Sequence, residues 1–168
     1  SGAIMPGPLL TTAIGESLRS GPRAGPLLIA GHAILELALV ASLFLGLAPL
    51  LTDGNVTAMI ALAGGLILLL LAFEMVRSLP ALTLKAAGVS GKQGRMLVCS
   101  GILVSLSNPY WSVWWATIGL AYVLKSKQFG VAGVIFFFMG HVLADLSWYS
   151  VVSFLIGKGR RLLTDVFY

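Results

Sequence analysis

The chain alternates long apolar runs with short polar connections. Four runs reach the roughly 20 residues that an α-helix needs to cross a bilayer, and a fifth is shorter. The long runs cover residues 26–48, 56–76, 96–120 and 131–157, and the short one covers residues 2–18. Because an isolated strand would leave its backbone groups unpaired in lipid, the pattern predicts an all-α membrane protein with about five visible transmembrane helices. The first helix would be partial, and a sixth would be missing at the end of the chain.

The composition supports a membrane protein without a soluble module. Hydrophobic residues make up 58% of the chain and charged residues only 10%, whereas soluble domains carry about 25% charged residues. No connection is long enough to form a second domain, so residues 1–168 should form a single membrane domain. The net charge of +5 suits anionic lipid headgroups, and no basic and aromatic stripe indicates nucleic acid. Cys99, the single cysteine, excludes an internal disulfide and a cysteine metal cluster.

The basic residues of the connections predict how the chain is oriented. The first, third and fifth connections carry nine Lys and Arg together, and the second and fourth carry two. By the positive-inside rule, the odd connections lie in the cytoplasm and the N-terminus faces outward. The odd connections contain Arg19, Arg23, Arg77, Lys85, Lys92, Arg95, Lys158, Arg160 and Arg161, and the fourth contains Lys125 and Lys127.

Two apolar runs contain the same polar motif, Gly-His-x-x-x-acid-Leu. Residues 31–37 read GHAILEL and residues 140–146 read GHVLADL. The spacing puts each histidine and its acid on one face of a helix. A proline-containing segment precedes each copy: Pro6-Gly7-Pro8 in the first case and Asn108-Pro109 in the second.

This recurrence predicts two three-helix repeats. Repeat 1 covers about residues 1–76, a cytoplasmic connection covers 77–95, and a truncated repeat 2 covers about 96–168. Because each repeat has three spans, the second must cross the bilayer in the opposite direction to the first, as in many secondary transporters.

The unusual residues are all predicted near the middle of the membrane. Glu36, Asp145 and Asn108 lie at or beside the centres of their apolar runs, and an acid at that depth costs about 3 kcal/mol on insertion scales. A proline in a helix exposes polar backbone that needs a partner or water. We therefore expect a polar cavity between two proline-broken helices. The candidate solute-binding residues are Pro6, Gly7, Pro8, Asn108, Pro109, Glu36 and Asp145, and the candidate proton-coupling residues are His32, Glu36, His141 and Asp145.

Structural interpretations of the same residues stay open. Each histidine and the acid four residues later could simply satisfy one another. The prolines could be kinks, with the Asn108 amide capping a freed carbonyl. Three tryptophans beyond the break fit packing or an interfacial belt, although one or two could line the cavity. They are Trp111, Trp114 and Trp115.

The N-terminal stretch resembles the LysE-type amino-acid exporters. The features that it shares with them are Pro6-Gly7-Pro8 in the first helix, the basic glycine-rich turn from Arg19 to Gly25, Gly31, and Gly46-Leu47. Asn108-Pro109 is similar to the element of that family's second half. The His and acid motif is not typical of the amino-acid members and is more like the chemistry of metal-exporting relatives.

The resemblance implies a six-span exporter of amino acids or related small solutes, driven by the proton or ion gradient, in the plasma membrane of a prokaryote. The alternative is export of a divalent metal cation, with His32, Glu36, His141 and Asp145 as two nitrogen and two carboxylate ligands. No enzyme activity and no cofactor are expected, since the spacing is not that of zinc proteases. The expected partners are the solute and membrane lipid, and a homo-oligomer is compatible with the sequence.

Overall fold

A computed structural model describes residue 4, residues 7–47 and 53–55, residues 58, 59, 62, 66, 69 and 73, and residues 93–166. The described part is almost entirely helical and contains no strand. The predicted all-α class is therefore confirmed for these residues. The predicted span over residues 56–76 falls largely outside the described residues. Of the predicted cytoplasmic connection 77–95, only residues 93–95 are described.

The first two helices form a tight hairpin. Helix α1 is Pro8–Ser20 and helix α2 is Ala24–Ser42, which continues into a π-helical turn at Leu43–Leu47. Gly21 ends α1 with φ of 76°, a backbone conformation that glycine adopts at little cost. Pro8 occupies the first helical position, where its missing N–H is not needed. In the described residues, Pro8 begins a helix and does not break one.

The predicted break at Asn108 is present. Helix α3, Gly94–Leu106, ends just before it, and helix α4, Pro109–Trp114, starts after it. A π-helical turn at Trp115–Gly119 leads into helix α5, Leu120–Lys127. The helices before and after the break are bent by 65°.

The end predicted for this run at residue 120 is wrong. The helix continues to Lys127, so that Lys125 and Lys127 lie in its last turn and not in a loop. Basic residues suit the last turn of a helix because they face the negative end of its dipole. Helix α6, Gly130–Val166, begins after a two-residue turn.

Two of the described helices are long and apolar enough to cross a membrane by themselves. They are Ala24–Gly46 and Gly130–Gly159, and the bent pair across Asn108 gives a third if it counts as one span. These helices support a membrane protein. The total number of spans and the inverted repeat remain predictions.

Glycines set the spacing between the helices. Gly31 on α2 lies against the backbone of Val98 on α3, and Gly101 on α3 lies against the backbone of Leu28, so that a Cβ atom at either glycine would overlap a carbonyl group. Gly25 lies equally close to the backbone of Tyr149 on α6. Small residues allow this close approach of helices in membranes. Helix α2 is therefore held between α3 and α6.

The distribution of polarity is the reverse of that in a soluble protein. Large apolar side chains point outward on the long helices; Leu37 and Phe136, for example, are largely exposed. Polar side chains at a four-residue spacing face inward on α6, where His141, Asp145, Tyr149 and Ser153 are all buried. Such a surface fits a hydrocarbon surrounding, and the interior is where the ionisable groups meet.

Candidate functional site

The two copies of the motif come together at the middle of their helices. The centre of Ala24–Gly46 falls at Leu35, beside Glu36, and the centre of Gly130–Gly159 falls between Ala144 and Asp145. The depth predicted for both acids therefore agrees with the observed helix bounds. We call the buried group that they form with the histidines the His/acid cluster: His32, Glu36, His141 and Asp145.

At least five nitrogen–oxygen contacts join the members of the His/acid cluster, one of them between His141 Nε2 and Glu36 Oε1 at 3.2 Å. His32 Nε2 lies 3.0 Å from Glu36 Oε1 and 3.5 Å from Asp145 Oδ2. His141 Nε2 lies 3.1 Å from Glu36 Oε2 and 3.5 Å from the same Asp145 oxygen. Each histidine thus contacts the acid of its own helix and the acid of the other. The structural interpretation of two separate intrahelical pairs does not describe this arrangement, because each pair is also bonded across α2 and α6.

The cluster is enclosed. The exposed fraction is 8% for His32, 1% for Glu36, 9% for His141 and 4% for Asp145. Burying a carboxylate in a medium of low polarity is costly unless opposite charge and hydrogen bonds compensate it. Two carboxylates in contact with two imidazoles meet this requirement when protons or another cation supply the positive charge.

Ser105 on α3 fixes the orientation of one imidazole. Its Oγ lies 2.7 Å from His32 Nδ1, so that the other ring nitrogen faces the two acids. The contact follows from the glycine packing of α2 on α3, because Gly31 precedes His32 directly and Gly101 lies one helical turn before Ser105. Sequence reasoning did not single out Ser105, and a lone serine in an apolar helix gives little signal.

Two tryptophans after the break donate hydrogen bonds to Glu36. Trp115 Nε1 lies 2.8 Å and Trp111 Nε1 lies 3.2 Å from Glu36 Oε1. The two rings are four residues apart and so share one face of the broken helix. The sequence favours packing or an interfacial belt for most of the tryptophans and leaves open that one or two line the cavity; in the structure these two are polar partners of the first acid. Their spacing just beyond Asn108-Pro109 was the signal available.

Aromatic rings surround His141. Trp114 lies nearly parallel to the imidazole with a centroid distance of 5.0 Å, and Phe137 is also nearly parallel at 6.0 Å. Trp115 meets the imidazole edge-on at 5.6 Å. Aromatic faces attract a cation, and rings from α4, from the π-helical turn after it and from α6 itself meet at this imidazole.

The proline-containing segments are only partly within the described residues. The Gly7 carbonyl accepts hydrogen bonds from the backbone N–H and the hydroxyl of Thr11. The Asn108 side chain accepts one from the N–H of Tyr110, and so caps α4. The predicted opening of backbone groups toward a solute is not seen at these two residues. Pro6 and the side chain of Pro109 lie outside the described residues, and Pro8 starts α1.

Comparison with known proteins supplies a family and no individual relative. A family model described as LysE type translocator matches residues 1–164. No curated protein and no solved structure matches the chain. Because the family model covers nearly the whole chain, and its helices are apolar enough to cross a membrane, the chain belongs to the LysE type translocator family and is a membrane transporter of small solutes.

Proposed function

We propose that the chain exports a small solute in exchange for protons, and that the His/acid cluster is the site where the two alternate. The observation that carries the proposal is the meeting of His32, Glu36, His141 and Asp145 in one buried group, near the centres of two helices long enough to span a membrane. Binding near the midplane between the two halves is the usual arrangement of secondary transporters.

The chemistry of the cluster suits proton coupling. Imidazole is the side chain whose charge changes most readily near neutral pH, and each imidazole here contacts both carboxylates. A proton on a histidine neutralises an acid that would otherwise be costly to bury. An entering cationic group can take over that role and release the proton. Ionisable groups buried inside membrane proteins commonly serve such relays.

The enclosed cluster corresponds to an occluded stage of transport. All four residues are at most 9% exposed, so the site must open toward one membrane surface and then the other. The bend between α3 and α4 is a natural hinge, because Asn108 interrupts the helix. The two tryptophans bonded to Glu36 lie just beyond it, Trp111 on α4 and Trp115 at the start of the π-helical turn that continues α4. Movement of α4 would remove both donors from Glu36 at once.

The proposal includes the topology and the solute class suggested by the sequence. The sequence indicates amino acids or related small solutes as the expected class and a divalent metal cation as the alternative. Contact of the Pro6-Gly7-Pro8 and Asn108-Pro109 segments with the solute would need another conformation, because Gly7 and Asn108 bond to their own helices here. The protein would cross the plasma membrane of a prokaryote several times, with its odd connections in the cytoplasm.

Transport by the purified full chain in proteoliposomes tests the proposal. A pH indicator inside the vesicles reports protons moved when single amino acids, organic cations or divalent metal ions are added outside. We expect one solute class to drive proton movement in the wild type, and Glu36→Gln to abolish it. Glu16→Gln is the matched control, because Glu16 is a buried acid of α1 outside the cluster. Equal proton movement in Glu36→Gln and the wild type would contradict the proposal.

A further inference from the structure

The His/acid cluster offers four ligand atoms at separations compatible with a four-coordinate metal site. One ligand atom from each residue can be chosen so that all four lie within 4.8 Å of one another. With Glu36 Oε1 and Asp145 Oδ2 as the oxygens, the nitrogen–oxygen separations are 3.0, 3.2, 3.5 and 3.5 Å. Zinc bonds of 2.0 to 2.2 Å in a regular tetrahedron put neighbouring ligands about 3.3 to 3.6 Å apart. The four separations already lie close to this range.

We infer that the solute bound at the cluster is a divalent transition-metal ion, held by His32 Nε2, His141 Nε2, Glu36 and Asp145. The inference rests on the proposed function and names its substrate class. The metal is the cargo and not a resident cofactor, since the ligands come from two different helices whose separation would release it.

Contacts outside the cluster orient the ligands as metal sites require. Ligating histidines commonly donate their second ring N–H to a neighbouring group, which leaves the first nitrogen for the metal. Ser105 Oγ, 2.7 Å from His32 Nδ1, is such a partner. The two indole N–H groups likewise fix the Glu36 carboxylate. Four ion-pair contacts alone would not require these additional restraints.

Charge and size favour a metal ion over an amino acid. Two carboxylates are neutralised by one divalent cation, whereas the single ammonium group of a neutral amino acid would neutralise only one of them. The four ligand atoms enclose a space of ionic dimensions, with every side chain at least nine-tenths buried. A bare ion fits between them without separating the helices.

The ligand types narrow the choice of metal. Magnesium and calcium prefer sets composed of oxygen atoms, whereas imidazole nitrogens suit zinc, nickel, copper and iron. Two nitrogens with two carboxylate oxygens therefore select a first-row transition metal such as zinc. Cobalt can replace zinc as a probe, because four-coordinate Co²⁺ has intense visible absorption bands.

Titration of the purified full chain with Co²⁺ tests the inference without a transport assay. We expect visible bands that saturate at one ion per chain and disappear on addition of Zn²⁺. His141→Ala and Asp145→Asn should lose the bands. Ser105→Ala should weaken binding about 10- to 100-fold, because it removes the hydrogen bond that orients the His32 imidazole. Glu16→Gln and Cys99→Ser are the controls and should bind like the wild type.

His141→Cys in the Cys99→Ser background gives a signal that misfolding cannot imitate. A thiolate at a ligand position should add a sulfur-to-cobalt charge-transfer band while the visible bands persist. Absence of bands in the wild type, or equal bands in His141→Ala, would overturn the inference.

The two proposals fail in different ways. If an amino acid drives proton movement and cobalt gives no bands, the inference that the solute is a metal ion is overturned and the proposed function stands. A chain that binds cobalt at the cluster but moves no solute across vesicles overturns the proposed function, and with it the role of the metal as cargo.

Discussion

In the first copy of the motif, on α2, hydrogen bonds from neighbouring helices fix the polar groups, whereas in the second copy, on α6, aromatic rings pack around the histidine. Glu36 receives two indole N–H donors and His32 contacts Ser105. His141 lies beside Trp114 and Phe137. The same sequence pattern is thus held by hydrogen bonds in one half of the cluster and by aromatic packing in the other half. We therefore expect the polar groups on α2 to contribute more to stability than those on α6.

Removal of Glu36 should have the largest effect. Glu36→Ala leaves two indole donors, of which Trp115 is buried, and two imidazoles without their shared acceptor. Loss of one partner from a buried ionic group costs about 3 to 5 kcal/mol. Asp145→Ala should cost less, because the contacts of Asp145 with the histidines are longer. Thermal unfolding in detergent measures both variants. Equal losses would show that the two halves do not differ.

The glycine of the motif offers a matched pair of substitutions. A Cβ atom at Gly31 would overlap the backbone of Val98, whereas nothing lies within 4 Å of one at Gly140. Gly31→Ala should lower stability by about 1 to 3 kcal/mol through overpacking. Gly140→Ala should raise it by up to about 1 kcal/mol, since glycine inside a helix is unfavourable. The same thermal unfolding measurement decides, and a loss at Gly140 would contradict the asymmetric packing.

The tryptophans separate hydrogen bonding from aromatic packing. Trp115→Phe keeps a ring but removes a donor to a charged group, which is worth about 1.5 to 3 kcal/mol. Trp114→Phe, the control, changes a ring that stacks on His141, whereas the indole donors to Glu36 are those of Trp111 and Trp115. Infrared spectra of the carboxylate stretch should shift in Trp115→Phe only. A shift of the same size in both variants would argue against a specific bond.

Ser105→Ala should have the smallest effect on stability. Its hydroxyl provides one hydrogen bond to His32 Nδ1, and a typical bond contributes about 1 kcal/mol. Chemical shifts of labelled histidine side chains should change for His32 and stay constant for His141. A change confined to His141 would be incompatible with the observed contact.

The sequence predicts the cluster because ionisable residues are costly to bury in an apolar run, and they stand out there in the sequence. A histidine and an acid in the middle of an apolar helix need polar partners. The second copy of the motif, predicted at the same depth, is the nearest source of such partners. The break at Asn108 is predicted for the same reason, since a proline excludes an unbroken helix. These features depend on local chemistry and spacing.

The residues missed depend on how the helices pack. Whether Trp111 and Trp115 face lipid or Glu36 is decided by the 65° bend after α3, which spacing alone does not give. The predicted end of the third long apolar run at residue 120 is wrong, because Lys125 and Lys127 lie in a helix and not in a loop. Lys127 instead extends along the helix surface, and its ammonium group donates to the Phe44 carbonyl at 3.2 Å, as a long side chain near a helix end can do.

The most direct test of the central claim is the proton movement that accompanies transport in proteoliposomes, measured for Asp145→Asn beside Glu16→Gln. Both substitutions remove one buried acid, but only Asp145 contacts the two histidines. The account predicts that Asp145→Asn stops solute-driven proton movement while Glu16→Gln retains it. Wild-type proton movement in Asp145→Asn would contradict the account.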